Sequence, residues 1–162
     1  MKTRKDEHVK DVKNYIYEGC GFPVRLSTAK MFKVGTEWVL DIDYAGIERS
    51  VAATVARKPS RLTGNEVRFL RQFLAHSLKR LADHFAYSAP AVLKWEQRGD
   101  KPTGMHWAVE KDLRLLVLQH LGESPSAFLK AYKAFEVPME IKPGQQQYEI
   151  VRRGGKPVAR CA

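Results

Sequence analysis

Cysteine is scarce in this chain. There are two in 162 residues, Cys20 and Cys161, with no CxxC pair and no histidine at ligand spacing. A tetrahedral zinc site needs four such donors, so no structural metal is expected. A disulfide between the two thiols is not expected in a reducing compartment either. Long apolar runs are missing too. No stretch approaches the ~20 residues of a membrane span, and the basic start MKTRKDEHVKDVKN is followed by no apolar core of the kind a secretory leader carries. A cytoplasmic protein with no membrane partner is expected. No glycine-rich loop, internal repeat or low-complexity tract occurs. The five histidines (His8, His76, His84, His106, His120) are scattered, and Asp41 and Asp43 have no nearby Glu or His to complete a metal or acid–base set. Neither catalysis nor a cofactor is expected.

What is present is basic charge. The chain carries a formal +10 and is 44% hydrophobic, ordinary for a globular protein of one mid-sized or two small domains. Residues 61–105 hold eight basic against four acidic residues, the densest excess along the chain. Such an excess attracts phosphates and speeds encounter but carries no sequence information.

The first 14 residues are mostly charged and are expected to fray. Short β-patterned runs follow at Tyr15–Tyr17, Val24–Leu26, Met31–Val34 and Trp38–Ile42, with Gly35-Thr36 reading as a hairpin turn. A helix beginning at Asp43 or Tyr44 repeats Ile47, Val51 and Val55 at four-residue spacing and stops at Lys58-Pro59-Ser60. Thr63 and Glu66 form a capping box. The helix they open buries Val67, Leu70 and Leu74, with Phe69 and Phe73 alongside and Arg68 and Arg71 facing outward. After a loop at Gly99–Pro102, Thr103 is a candidate cap for a helix ending at Gly122, and Ser124-Pro125 starts another that Pro138 stops. A strand pair, MEIK and YEIVRR, and a disordered tail over 154–162 close the chain. Residues 1–60 thus read as a small α+β unit, 61–137 as a helical domain and 138–162 as a strand pair with a tail.

Residues 76–98, HSLKRLADHFAYSAPAVLKWEQR, are the most informative. Ser77 caps a first helix with Leu81, Ala82 and Phe85 at helical spacing. Ala86-Tyr87 makes the turn. Ser88 caps a second helix with Pro90 in its first turn and Val92 and Trp95 facing inward. Ala89, Pro90, Ala91 and Lys94 are left on the outside of a thin helix, the shape that enters a major groove about 12 Å wide. Ala82 is small enough for a steep helix crossing.

Ser77, Leu81-Ala82, Ala86-Tyr87-Ser88, Val92, Trp95-Glu96 and Gly99 together resemble the helix-turn-helix of lambda-repressor-like (XRE/HigA-type) regulators, antitoxin-like members included. Ala86 stands where that pattern usually has glycine, and Leu78 where it often has glutamine. The resemblance implies a small N-terminal α/β unit followed by an all-α helix-turn-helix domain with a short C-terminal β extension, an α+β chain overall. It implies double-stranded DNA as partner, with Ala89, Pro90 and Lys94 reading bases beside Ala91. Ser77 and Ser88 would touch phosphates, and Arg98 and Lys101 the backbone beyond. Leu115 and Leu118 exceed what one core face can take, and with Phe128 they are the expected homodimer contact. The resemblance further implies a nucleoid-associated repressor, antitoxin-like, whose residues 15–58 contact an effector or a cognate toxin. The other reading is a protein-interaction module of a toxin–antitoxin or mobile-element system whose helix-turn-helix no longer reads DNA.

Overall fold

The computed structural model describes residues 8–142 and 144–162, and its first strand begins at Val9. β1 (Val9–Tyr17) pairs antiparallel with β2 (Val24–Val34) along its whole length, from Val9 opposite Phe32 to Tyr17 opposite Val24. β3 (Glu37–Asp41) then returns along the second half of β2 through a turn at Gly35, whose φ of 61° suits a residue without a Cβ. Apolar–polar alternation drives this: Cys20, Phe22, Val24 and Leu26 are buried, and the residues between them are exposed. The alternation changes phase between Leu26 and Ala29, beside Asn14, which has a φ of 54°.

Two expectations are corrected here. The charged residues expected to fray form β1 from Val9 onward, because pairing with β2 holds their backbone while all of residues 9–14 but Val12 keep their side chains exposed to solvent. The separate strands expected at 24–26 and 31–34 are one strand of 11 residues. The expectation for residues 1–7 lies outside the described residues.

The helices follow in order: α1 (Tyr44–Arg57), α2 (Gly64–Phe73), α3 (Leu78–His84), α4 (Ala89–Glu96), α5 (Trp107–His120) and α6 (Pro125–Ala134). α1 buries Ile47, Val51 and Val55, the predicted row. The capping box at Thr63 and Glu66 is present in both directions, and Ser124 caps α6 through the Ala127 N–H at 3.2 Å. The cap of α5 is His106 rather than Thr103. Thr103 is buried, and its hydroxyl accepts from the Met105 N–H instead.

β4 (Tyr148–Arg153) and β5 (Lys156–Cys161) close the chain as a hairpin. The MEIK segment makes only a single bridge, Glu140 to Ser60, so YEIVRR pairs with the supposedly disordered tail rather than with MEIK. β4 also lies parallel to the first part of β2, Val24 opposite Tyr148 and Leu26 opposite Ile150. One five-stranded sheet, ordered β1-β2-β4-β5 with β3 beside β2, is therefore built from both ends of the chain. This overturns the expected α/β unit followed by an all-α domain: among the described residues the fold is mixed α/β, one five-stranded sheet with six helices, of which α1 packs along β5. The physical reason is an open edge. β3 covers only the Lys30–Val34 part of β2, leaving the backbone and buried side chains of Val24–Leu26 for β4 to complete.

Buried charges join sheet to helices. Glu66, wholly buried, accepts from the Lys58 ammonium at 2.6 Å, the Gln145 amide at 2.8 Å and the Tyr148 hydroxyl at 2.6 Å. Arg114, also wholly buried, donates to the carbonyls of Ala56, Lys58 and Ser60 just where α1 leaves them without helical partners. Glu110 holds Arg114 at 2.8 Å and Arg61 at 2.6 Å, and it accepts from the Leu62 N–H. Every charge in the cluster has a partner, as burial requires.

Candidate nucleic-acid interface

α2, α3 and α4 build the candidate surface. Ser77 and Ser88 both sit at N-caps, their hydroxyl oxygens accepting from the Arg80 and Ala91 amides at 3.1 and 3.3 Å. Each serine is exposed and keeps its O–H proton to donate elsewhere. Between the helices the chain reverses at Ala86 with φ 57°, and the Tyr87 N–H closes the turn on the Ala82 carbonyl at 2.9 Å. This is the left-handed position where the pattern usually has glycine. Ala82, 1% exposed, is the short residue at the crossing, and Leu81 and Val92 are buried beside it.

α4 leans on α3 and α2. Its seating on α2 is unusually close: a Cβ at Gly64 would lie 2.6 Å from the carbonyl oxygens of both Trp95 and Glu96, so only glycine fits there. The start of α2 spends its free amides on the loop after α4, Asn65 donating to Gly99 at 2.8 Å and Gly64 to Lys101 at 3.2 Å. Glu96 turns inward, 2% exposed, and takes Arg71 through two nitrogens at 2.5 and 3.1 Å with Arg68 at 3.4 Å. Arg71, expected to face outward, is thus half-buried because it supplies the charge that lets Glu96 be buried. Arg71 also donates to the His76 carbonyl, tying the end of α2 to the start of α3.

The opposite face of α4 is open. Pro90 and Lys94 are exposed, Ala89 and Ala91 half-buried. Arg98 and Lys101 are exposed just beyond, although Arg98 donates one N–H to the Pro102 carbonyl at 3.2 Å. Arg80 is exposed on α3, and the acidic Asp83 next to it is engaged by Lys79 at 2.6 Å. The sequence reading missed Leu93 and Tyr87. Leu93 is exposed three residues after Pro90, and Tyr87, also exposed, packs edge-on to Trp95 at 5.0 Å between ring centroids. The i, i+3 relation to Pro90 was the available signal for Leu93.

His76, at the hinge between α2 and α3, has its Nδ1 buried without a partner. Its pKa is lowered from the ordinary 6.5, first by burial and then by Arg80, His84 and His120. His84 lies outward, as expected, and reaches Asp112 of α5 at 3.1 Å.

The expected dimer contact is corrected. Leu118 is fully buried and Leu115 nearly so, because α5 lies between α1 and α6 and is covered almost all round. Of the three residues only Phe128, half-buried on α6, keeps accessible surface. The exposed apolar residues of α6 are Leu129 and Tyr132.

Cys20 is buried and Cys161 exposed, both as free thiols. Among the described residues no three His, Cys, Asp or Glu side chains converge as metal ligands, and no helix is long and apolar enough to cross a membrane. Comparison with family models, with curated proteins and with solved structures returns no match.

Proposed function

We propose that the protein is a sequence-specific DNA-binding regulator, a repressor acting as a homodimer in the cytoplasm, antitoxin-like in layout and without enzymatic activity. The observation that carries this reading is the open face of α4, where small residues and one free lysine are held outward by a helix clamped to α2 through Glu96 and Arg71. Lys94 has the length and charge to donate to guanine O6 or N7. Ala89 and Pro90 offer methyl-sized contact to a thymine, and Ser77, Ser88, Arg98 and Lys101 suit phosphates. With a single polar reader, part of the discrimination falls to DNA shape. Two headpieces on successive major grooves, ~34 Å apart, would occlude polymerase.

The test is binding to the DNA upstream of its own gene. Affinity should fall steeply between ~50 and ~200 mM salt, and Lys94→Ala should erase the preference for that DNA over a scrambled duplex. Undiminished discrimination by the variant removes the base-reading role.

A second reading has its own observation. Leu93 and Tyr87 are apolar and exposed on and beside the same helix, which suits a protein partner, a cognate toxin included, better than a base pair. Salt-independent binding of such a partner by α4, with no DNA affinity, would favour it.

A further inference from the structure

A row of exposed apolar side chains lies far from α4 in sequence, on the three-stranded end of the sheet. Val9, Phe32 and Val39 stand directly opposite one another across β1, β2 and β3, and they are 45, 37 and 39% exposed. Val34, 56% exposed, extends the row by one step along β2. These residues share the face turned away from the core. Ala29, Met31 and Leu40 alternate with them and belong to the opposite face, where Ala29 is buried and Leu40 packs against the core.

Strand alternation also sorts the charges. Lys10 and Lys33 belong to the other face, and Lys10 lies 4.1 Å over the Trp38 ring there. Beside the apolar row, on its own face, the register sets Asp11 opposite Lys30 and Lys30 opposite Asp41, with Glu37 opposite Val34 at the tip. Among the described residues, Asp11, Asp41 and Glu37 stand against Lys30 beside this row, with Lys13 one step further along β1 on the same face, in a chain whose total charge is +10. A second copy stacked on this face would bring two such rims together and be repelled, and an anionic lipid surface would be repelled as well. A strip that is apolar in the middle and basic at its edges complements both features.

We propose that the outer face of β1–β3, centred on Val9, Phe32 and Val39 and rimmed by Asp11, Asp41 and Glu37, docks an amphipathic segment of a partner protein that carries basic residues beside an apolar strip. The inference stands on the sheet and is independent of whether α4 reads DNA.

The test uses the full chain and two synthetic amphipathic peptides with the same leucine strip, one bearing lysines and the other glutamates, followed by fluorescence anisotropy. Overall charge alone favours the glutamate peptide, so the two hypotheses predict opposite preferences. The lysine peptide should bind more tightly. Phe32→Ser should weaken it about tenfold. Asp11→Asn with Glu37→Lys, both on exposed positions that leave the core untouched, should weaken it roughly two- to fivefold and flatten its salt dependence. A preference for the glutamate peptide, no binding of the lysine peptide, or binding indifferent to both sets of substitutions overturns the proposal. So does self-association by sedimentation that Phe32→Ser abolishes, since the occupant would then be a second copy. DNA binding should be the same in every variant, which separates this outcome from that of the DNA-binding reading.

Discussion

The Tyr148 hydroxyl donates to Glu66 at 2.6 Å across 82 residues of chain, joining the first residue of β4 to the first turn of α2. Glu66 does two jobs at once: it closes the capping box with Thr63, and it takes the Lys58 ammonium in a place neither charge could occupy alone. The sheet and the helix-turn-helix are therefore mechanically one piece. Burial and then the Glu66 carboxylate push the Tyr148 phenol far above its ordinary value, so it stays a donor at any physiological pH.

Tyr148→Phe should cost about 1.5–3 kcal/mol, the range for one hydrogen bond to a charged group. Glu66→Ala should cost more, about 3–5 kcal/mol, because it strands the buried Lys58. Urea unfolding of the two variants measures both. Equal losses would mean that Lys58 finds water when its partner is removed.

Arg71→Ala leaves Glu96 buried with only the longer contact from Arg68. A loss of about 3–5 kcal/mol is expected. Any DNA affinity should fall with it, because α4 loses its anchor while its outer face is unchanged. Restoring stability with the double change Arg71→Met and Glu96→Leu should recover the fold. If the double variant is as unstable as the single one, packing rather than charge governs this contact.

Ala86 occupies the left-handed region at φ 57°, which costs a residue with a Cβ about 1–2 kcal/mol. Ala86→Gly relieves that strain but enlarges the unfolded ensemble, by about 0.4–1 kcal/mol. A net gain of up to ~1.6 kcal/mol, or up to about 3–6 °C in Tm, should be seen by calorimetry. A lower Tm would show that the turn strain is absorbed elsewhere.

His76 sets a pH dependence whose sign follows from its lowered pKa. The unfolded chain takes up the proton near pH 6.5, while the folded chain resists it. Below that pH the unfolded state binds more protons, and stability falls. The contribution is whole above pH 6.5 and is lost as the pH drops towards the folded value. The difference in unfolding free energy between pH 7.5 and 5.5 should shrink in His76→Gln. An unchanged difference assigns the acid sensitivity to other groups.

Local features were legible wherever the interaction spans only a few residues. The caps at Thr63, Ser77, Ser88 and Ser124, the hairpin at Gly35 and the helical row Ile47–Val51–Val55 are encoded in residues three or four apart, where side-chain oxygens meet free amides and periodicity selects a face. The outward position of Pro90 and Lys94 on α4 was readable for the same reason, while exposed Leu93 between them was not. What failed depended on distance. KPVARC has too little pattern to announce a strand, and only its pairing with β4 makes it one. Leu115 and Leu118 looked surplus because one helix face cannot use them, but α5 has neighbours on several sides. Arg71 read as an outward-facing charge until Glu96 of α4 and the His76 carbonyl surrounded it, and nothing in the local sequence marked Arg114 and Glu110 for burial against the α1–α2 join.

The amino-acid order by itself determined where helices start, where the chain turns and which short helix is narrow enough to be presented outward, because capping, glycine geometry and helical period act within a turn or two. Only the tertiary structure decided that both ends of the chain share one sheet, that buried ion pairs fasten this sheet to α2, and that an apolar row with an acidic border lies uncovered on its outer face. Those outcomes rest on which strand edge was left open and on which charge found its opposite across tens of residues, and neither is written in any local stretch.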